Sequence, residues 1–245
     1  MNSGIYTAYS GMKARSEELD IAANNLANIN TTGFKADRAF GSLLRDTLSD
    51  SGAPEGLGLA VNREVRTDKA IDFSDGVALP TGRELDVAVR DGGFLTVSTP
   101  RGVRYTRDGN LYQDSGGVLR TADGNPVLGA SGGPITLAQG RVHISDEGGV
   151  YLDGEEVDRL KVVEFPDLSQ VEKEGESLFV NNGEAEPKSK TGMVVRVGYL
   201  ERSNVNAVRS VVEMVGILRH FEAIQKSLNY EANDMDAKVI EKLGS

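Results

Sequence analysis

The chain contains no cysteine and no tryptophan, has only two histidines, and nowhere strings together 18 apolar residues. Without cysteine there are no disulfides, thiol nucleophiles or thiolate metal sites, so folding rests on burial and hydrogen bonding. Two histidines without cysteine do not build a zinc site, and no H-E-x-x-H occurs. No Gly-Lys pair is present, which excludes a Walker phosphate loop. The lack of a long apolar run predicts no transmembrane segment. The N-terminal stretch MNSGIYTAYSGMKARSEELD lacks a basic region followed by an apolar one, which predicts no cleaved signal peptide.

Positive charge is also scarce in one region. The net charge is -10, yet residues 1–45 carry 5 basic and 4 acidic groups, and residues 206–245 carry 5 and 6. The middle, with 17 basic and 27 acidic groups, accounts for the whole excess. An acidic body disfavours nucleic acid as a partner, while nearly neutral ends suit helices that pack together.

What is present at those ends is helical periodicity. Ile5, Met12, Leu19 and Leu26 recur every seven residues, with Ala8, Ala22 and Ile29 in companion positions. The pattern predicts a helix from about Gly4 to Asn28, roughly 37 Å long. At the other end Val211, Met214, Leu218, Phe221, Leu228 and Met235 lie on a second heptad. This helix is expected to start after Ser203-Asn204-Val205-Asn206, with Asn206 as N-cap, and to run to about Leu243, roughly 55 Å. Val208, Val212, Val215, Ile217 and Ile224 widen its apolar surface beyond what one partner covers, unless its first half lies on the body. These ten heptad residues, from Ile5 to Met235, are the candidate assembly interface; packing within a single subunit is the alternative.

Between the helices the period changes to alternation. Leu85, Val87 and Val89 face one way and Asp86, Ala88 and Arg90 the other. Of 29 glycines, 23 lie in residues 46–205, many in Asp-Gly and Gly-Gly turns such as Asp91-Gly92, Asp108-Gly109 and Asp123-Gly124. Further strands are expected at 142–145, 158–165, 177–181 and 193–200. The predicted fold is α+β: a mostly antiparallel β body, with the long N- and C-terminal helices forming an α-helical coiled-coil domain. The expected division is 1–45 plus 206–245 for the terminal-helix domain, 46–58 for a linker and 59–205 for the β body.

Catalytic constellations are missing. Gly129-Ala130-Ser131-Gly132-Gly133 fits a bare G-x-S-x-G, but Pro134-Ile135-Thr136 follows where a nucleophile elbow needs a helix. The Asp-Gly-Asn turns at 108–110 and 123–125 lack the alternating ligands of a calcium loop. No catalytic residue, cofactor, metal or small-molecule substrate is therefore expected.

Three segments carry a resemblance. NNLANINTTGFK, residues 24–35, resembles the N-terminal signature of bacterial flagellar rod and hook proteins. ELDVAVRDGGFLTVST and RYTRDGNLYQDSGGVLRTADGNPVLG look like their first β domain, and YLERSNVNAVRSVVEMVGILRHFEAIQKSL resembles their C-terminal signature. TGRELDVAV and GGPITL are closer to proximal-rod than to distal-rod members, and the length argues against a hook protein.

The resemblance implies a structural subunit of the basal-body rod. It would be exported through the flagellar type III apparatus without a cleaved leader and would polymerise with itself and other rod subunits into the periplasm-spanning drive shaft. It also implies that Asn24, Asn25, Asn28, Thr32, Gly33 and Phe34 shape the turn leaving the first helix, a plain helix-terminating loop being the alternative. Ser203, Asn204 and Asn206 would cap the last helix. The family often has proline or an acidic residue after SNVN; Ala207, Val208 and Arg209 depart from that. A distal-rod or hook-like protein is the nearest competing reading. One from another class, a β-rich surface-binding module on a helical stalk, would need a leader and a ligand site.

Overall fold

The computed structural model describes residues 2–45, 63–192 and 194–243; side chains are described within these except at 2–7, 40–45, 63–68 and 231–243. The expected linker at 46–58 lies outside the described residues. In chain order the elements are α1 (Asn2–Ala27), β1 (Asp37–Arg45), β2 (Arg63–Ile71), β3 (Ala78–Pro80), β4 (Val87–Val89), β5 (Phe94–Thr99) and β6 (Gly102–Thr106). Then come β7 (Leu111–Gln113), β8 (Leu119–Thr121), β9 (Val142–Ile144), β10 (Gly149–Leu152), β11 (Glu155–Arg159) and β12 (Val162–Glu164). A 3-10 turn (Leu168–Gln170) leads to β13 (Val171–Glu174), β14 (Leu178–Asn181), β15 (Lys188–Ser189), β16 (Val195–Val197), β17 (Tyr199–Glu201) and α2 (Ala207–Leu243). Neither described helix is long and apolar enough to cross a membrane.

The chain divides into two compact units. One gathers residues 1–26, 37–70 and 207–245; the other gathers 27–36 and 71–206. The first holds both helices and the β1–β2 ribbon. Residues 27–36, which close the N-terminal signature, belong to the second, β-rich unit.

The β-rich unit is organised around a six-stranded antiparallel sheet in the order β13-β14-β6-β5-β12-β15. Its central strand β5 sorts side chains by face. Leu95 and Val97 enter an aliphatic core with Val87, Leu111, Leu119, Val127, Ile144 and Val162. Phe94, one residue out of phase, enters an aromatic cluster with Phe179, Val163 and Val171. Phe94 meets Phe165, Phe179 and Phe73 edge-on or nearly so at 5.1, 5.4 and 5.9 Å. Both faces are thus covered, so each substitution in β5 is felt by one core or the other.

The structure adds to one expectation and overturns another. The alternation around residue 87 sets Asp86 and Ala88 on the face opposite Val87 and Val89, and all four are buried. Strand β4 pairs with β16 on one edge while Asp86 bridges Asn110, so this segment has no solvent face.

The overturned expectation concerns the helices. Both form within a residue or two of the expected limits, but the predicted coiled-coil domain is not there. In a coiled coil the seams run side by side, their axes roughly 8–10 Å apart, for the whole overlap. Among the described residues no such extended approach joins α1 to α2. They come near each other at Gly11, where an added Cβ would lie 3.9 Å from Cδ1 of Ile224.

The seam is also rotated from the one the heptads indicate. On α2 the less exposed row is Ser210, Met214, Ile217, Phe221, Ile224 and Leu228, while Val211 and Leu218 are exposed. On α1 the buried row is Ser10, Ala14, Ile21, Ala22 and Asn25. Apart from Ile21, the side chains on that row are small or polar and fill too little of the interface for knobs-into-holes packing.

Candidate structural site where the terminal signatures meet

The chain turns sharply after α1. The Thr31 amide donates to Asn28 O (3.2 Å) and the Thr31 hydroxyl to Asn28 Oδ1 (3.1 Å). Gly33 then takes φ +70°, the left-handed region that favours glycine. A Cβ there would lie 2.4 Å from the Arg107 carbonyl carbon and 2.5 Å from the Asp108 nitrogen. The position therefore needs glycine twice over, for the backbone angle and for the backbone packed against it. Its amide donates to Glu201 O at 2.9 Å.

That turn delivers Phe34 and Lys35 into the interior of the β-rich unit. Phe34 is buried, with the Lys173 ammonium 4.1 Å from its ring centroid. Lys35 is 0% exposed; its Nζ donates to Glu201 Oε1 (2.5 Å) and to Ser74 O (2.8 Å). Glu201 Oε1 also accepts from the Gly76 amide at 2.7 Å, and Oε2 lies 3.4 Å from Arg107 Nη1. Arg107 reaches Asp75 at 3.2 Å and stacks its guanidinium 4.5 Å from the Phe94 ring centroid. The cluster therefore sets two cations, Lys35 and Arg107, against two carboxylates, Glu201 and Asp75. Burial pulls the Lys35 ammonium below its ordinary pKa; the Glu201 carboxylate opposes this and Arg107 adds to it.

Asn204 completes the fastening. Its Oδ1 accepts from the Ala36 amide (2.8 Å), and its Nδ2 donates to Asp72 O (2.8 Å). The Asp72 amide in turn donates to Ala36 O at 2.8 Å. Arg202 donates to the Asn30 side chain at 2.7 Å. We refer to this set of bonds between residues 28–36, 72–76, 107–108 and 201–204 as the clasp.

The signature positions divide accordingly. Asn25 and Asn28 are buried. Asn25 acts as a side-chain strand partner for Asp37, donating to its carbonyl (2.7 Å) and accepting from its amide (2.9 Å). Thr32 is half-buried and Asn24 exposed. Ser203 is buried and its hydroxyl accepts from the Val205 amide at 3.3 Å, while α2 begins directly after Asn206 with no acidic residue in its first turn.

Of the heptad positions, Met12, Leu19, Leu26, Met214, Phe221 and Leu228 are half-buried, and Val211 and Leu218 are exposed. Ile5 and Met235 lie in their helices, their side chains outside those described.

Sequence reasoning missed Lys35, Arg107 and Glu201 as buried partners and assigned Asn204 only to a cap. Lys35 and Glu201 sit within quoted signature segments, but 166 residues separate them, and nothing local marks a lysine as buried.

The motifs considered for chemistry are turns. The Ser131 hydroxyl donates to Asp158 at 2.7 Å in an exposed loop, and His143 and His220 are exposed on β9 and α2. Asp108 Oδ1 accepts from the Asn110 amide at 3.1 Å, using the carboxylate to shape its own turn.

Comparison with known proteins puts names on the segments the clasp joins. The chain matches Flagella basal body rod protein over residues 5–35, Flagellar hook protein FlgE/F/G D1 domain over residues 88–152, and Flagellar basal body rod FlgEFG protein C-terminal over residues 196–241. Lys35, Arg107 and Glu201 fall one in each. Over 250 residues it is 34% identical to flagellar basal-body rod protein FlgF of Caulobacter vibrioides, covering 100% of this chain and 99% of that protein. It is 32% identical over 250 residues to flagellar basal-body rod protein FlgG of Bacillus subtilis, covering 92% and 94%. FlgF of Rhizobium meliloti is 29% identical over 248 residues, covering 100% and 99%. The chain belongs to the flagellar basal-body rod protein family: it is a structural subunit of the bacterial flagellar rod and not an enzyme.

Proposed function

We propose that this chain is an FlgF-like, proximal-rod subunit that polymerises through its terminal helices with itself and with other rod subunits. On this reading the flagellar type III apparatus exports it without a cleaved leader, and it takes its place in the axial structure spanning the periplasm. The proximal assignment is supported by the match to FlgF along the whole chain. A distal-rod, FlgG-like role is the second reading, favoured by the 32% identity to a FlgG over 92% of the chain.

The observation that carries the assembly reading is the apolar row left open on α2. Val208, Val211, Val212, Val215 and Leu218 are all exposed within the first three and a half turns of α2. Apolar residues at this spacing form a stripe on one side of a helix. The stripe, together with the half-buried Met214, Phe221 and Leu228, is the assembly face in this proposal, paired with the α1 positions Ile5, Met12, Leu19 and Leu26 of neighbouring subunits. In this proposal the terminal-helix domain and the β body divide at about residues 45 and 206. The clasp holds the chain where it enters and leaves the β-rich unit.

Purified basal bodies should contain the protein, and crosslinkers placed at residue 212 should trap it to a rod subunit. Absence from the basal body would overturn the rod assignment. Crosslinking only within one chain would overturn the assembly face.

A further inference from the structure

Several arginines of the β-rich unit have a carboxylate to themselves or share one. Arg101 and Arg104 share Glu174, Arg107 faces Asp75 and Glu201, Arg120 faces Asp114 and Arg141 faces Glu84. Arg90, Lys190 and Arg196 are different: among the described residues none of the three forms an ion pair. In a chain of net charge -10 such cations are worth locating.

They gather at one corner. Lys190 Nζ donates to the carbonyls of Arg90 (3.1 Å) and Asp91 (2.5 Å). Arg196 stands opposite Ala88 in the β16–β4 pair, and the Arg90 amide donates to Val194 O at 2.9 Å. Arg90 and Arg196 therefore leave the same face of that pair, diagonally across it. Both line a pocket of about 270 Å³ together with Gly76 and Ala88. The Arg196 guanidinium lies 3.5 Å from the Tyr199 ring centroid, which fixes its plane. Asp75 and Glu201 also reach this pocket, but both face Arg107, and Asp91 pairs with none of the three cations. Like charges on one face of a strand pair disfavour each other, so the corner gains from an incoming anion. A pocket of side-chain size with two guanidinium forks suits a carboxylate, which offers each fork two oxygens.

We propose that Arg90, Lys190 and Arg196 form a socket for a carboxylate side chain from the β-rich unit of a second copy of this chain. The socket rests on the rod reading above and adds a contact between neighbours to it. Residues 46–205 hold 27 acidic groups against 17 basic ones. Bodies so charged repel, and they come into contact only where a carboxylate of one meets an uncommitted cation of the other. Glu155, Glu184 and Glu186 are exposed, without an ion pair among the described residues, and supply carboxylates of this kind. Exposed ion pairs contribute little affinity each, so the socket sets which surfaces meet more than how tightly they hold.

Carbodiimide coupling in purified basal bodies tests this. The reagent activates a carboxylate, and an amine touching it displaces the activated group as a urea and forms an amide. The expected product is a dimer of this chain in which Lys190 is joined to an Asp or Glu of the other copy. With Arg90→Gln and Arg196→Gln together, folding by urea should be unchanged and the dimer should fall by about tenfold, the worth of two such pairs. Lys190→Arg, which keeps the charge but offers no such amine, should enter the rod and give no dimer through this position. Should the double variant fail to fold, the coupling of Lys190 in the unaltered protein decides. Coupling only within one chain, or only to a different rod subunit, would overturn the socket and leave the rod assignment standing. Absence of the protein from the basal body would overturn the rod assignment and the socket with it.

Discussion

The clasp and the start of α2 reverse the usual assignment of inside and outside. In the clasp three charged side chains are almost wholly hidden: Lys35 at 0%, Arg107 at 1% and Glu201 at 3% exposure. Along α2 the valines are open, Val208 at 75% and Val212 at 65%. Residue type would predict the opposite in both places. What decides burial is the supply of partners. The clasp offers each buried cation a carboxylate, and offers Glu201 three donors in Lys35, the Gly76 amide and Arg107, so charge can leave water. Among the described residues nothing covers the Val208–Leu218 row, and in the assembly proposed above a neighbouring subunit supplies that cover.

Glu201→Ala is the largest blow the clasp can take. It leaves Lys35 and Arg107 buried with Asp75 alone, and Gly76 without its acceptor. We expect a loss of about 3–5 kcal/mol from the β-rich unit, measured by urea unfolding followed through tyrosine and circular dichroism. Lys35→Met should cost less, because Glu201 keeps Arg107 and the Gly76 amide. Equal losses would show that the cations do not share Glu201 as described.

Gly33→Ala tests the turn without touching charge. The added methyl meets backbone atoms at 2.4–2.7 Å and sits on a residue at φ +70°. A cost of roughly 2–4 kcal/mol follows from strain and overpacking together. Asn204→Ala comes next, at about 1–3 kcal/mol, since it strips partners from the Ala36 amide and the Asp72 carbonyl. A neutral Asn204→Ala would mean that water replaces the side chain at both ends.

How much of this was legible in the sequence differs between the same two regions. Both helices could be read closely, because a 3.6-residue period and the Asn206–Ala207 boundary are local signals. The β-rich character could be read from alternation and Asp-Gly turns. The coiled coil could not, because a heptad reports where apolar residues lie and not whether a partner is present. Met214, Phe221 and Leu228 fit both the expected and the observed row, so the true rotation, marked by Ser210, Ile217 and Ile224, was hidden by the shared positions. Strand β1 was absorbed into the expected helical domain, its sequence Asp37–Arg45 offering only partial alternation. The clasp was least legible. Gly33, Phe34, Asn25 and Asn28 stood out as turn residues, but Lys35, Arg107 and Glu201 look like surface charges until the fold brings them together.

The smallest expected effect on stability is also the one that bears hardest on function. Val212→Asp and Leu218→Asp place a carboxylate on an already exposed row, where a substitution alters folding by no more than about 0.5 kcal/mol. The urea transition should therefore be unchanged. If the row is covered by a neighbouring subunit, the same carboxylate must be desolvated without a partner, at a cost of several kcal/mol per contact. Rod incorporation should then fail while the β-rich unit remains intact. Unchanged folding with unchanged incorporation would leave the open valines of α2 without a role and shift the search for the assembly face to the half-buried row of α1. Loss of folding would instead mean that Val212 and Leu218 already have a partner within the chain, and the contrast between clasp and helix would collapse.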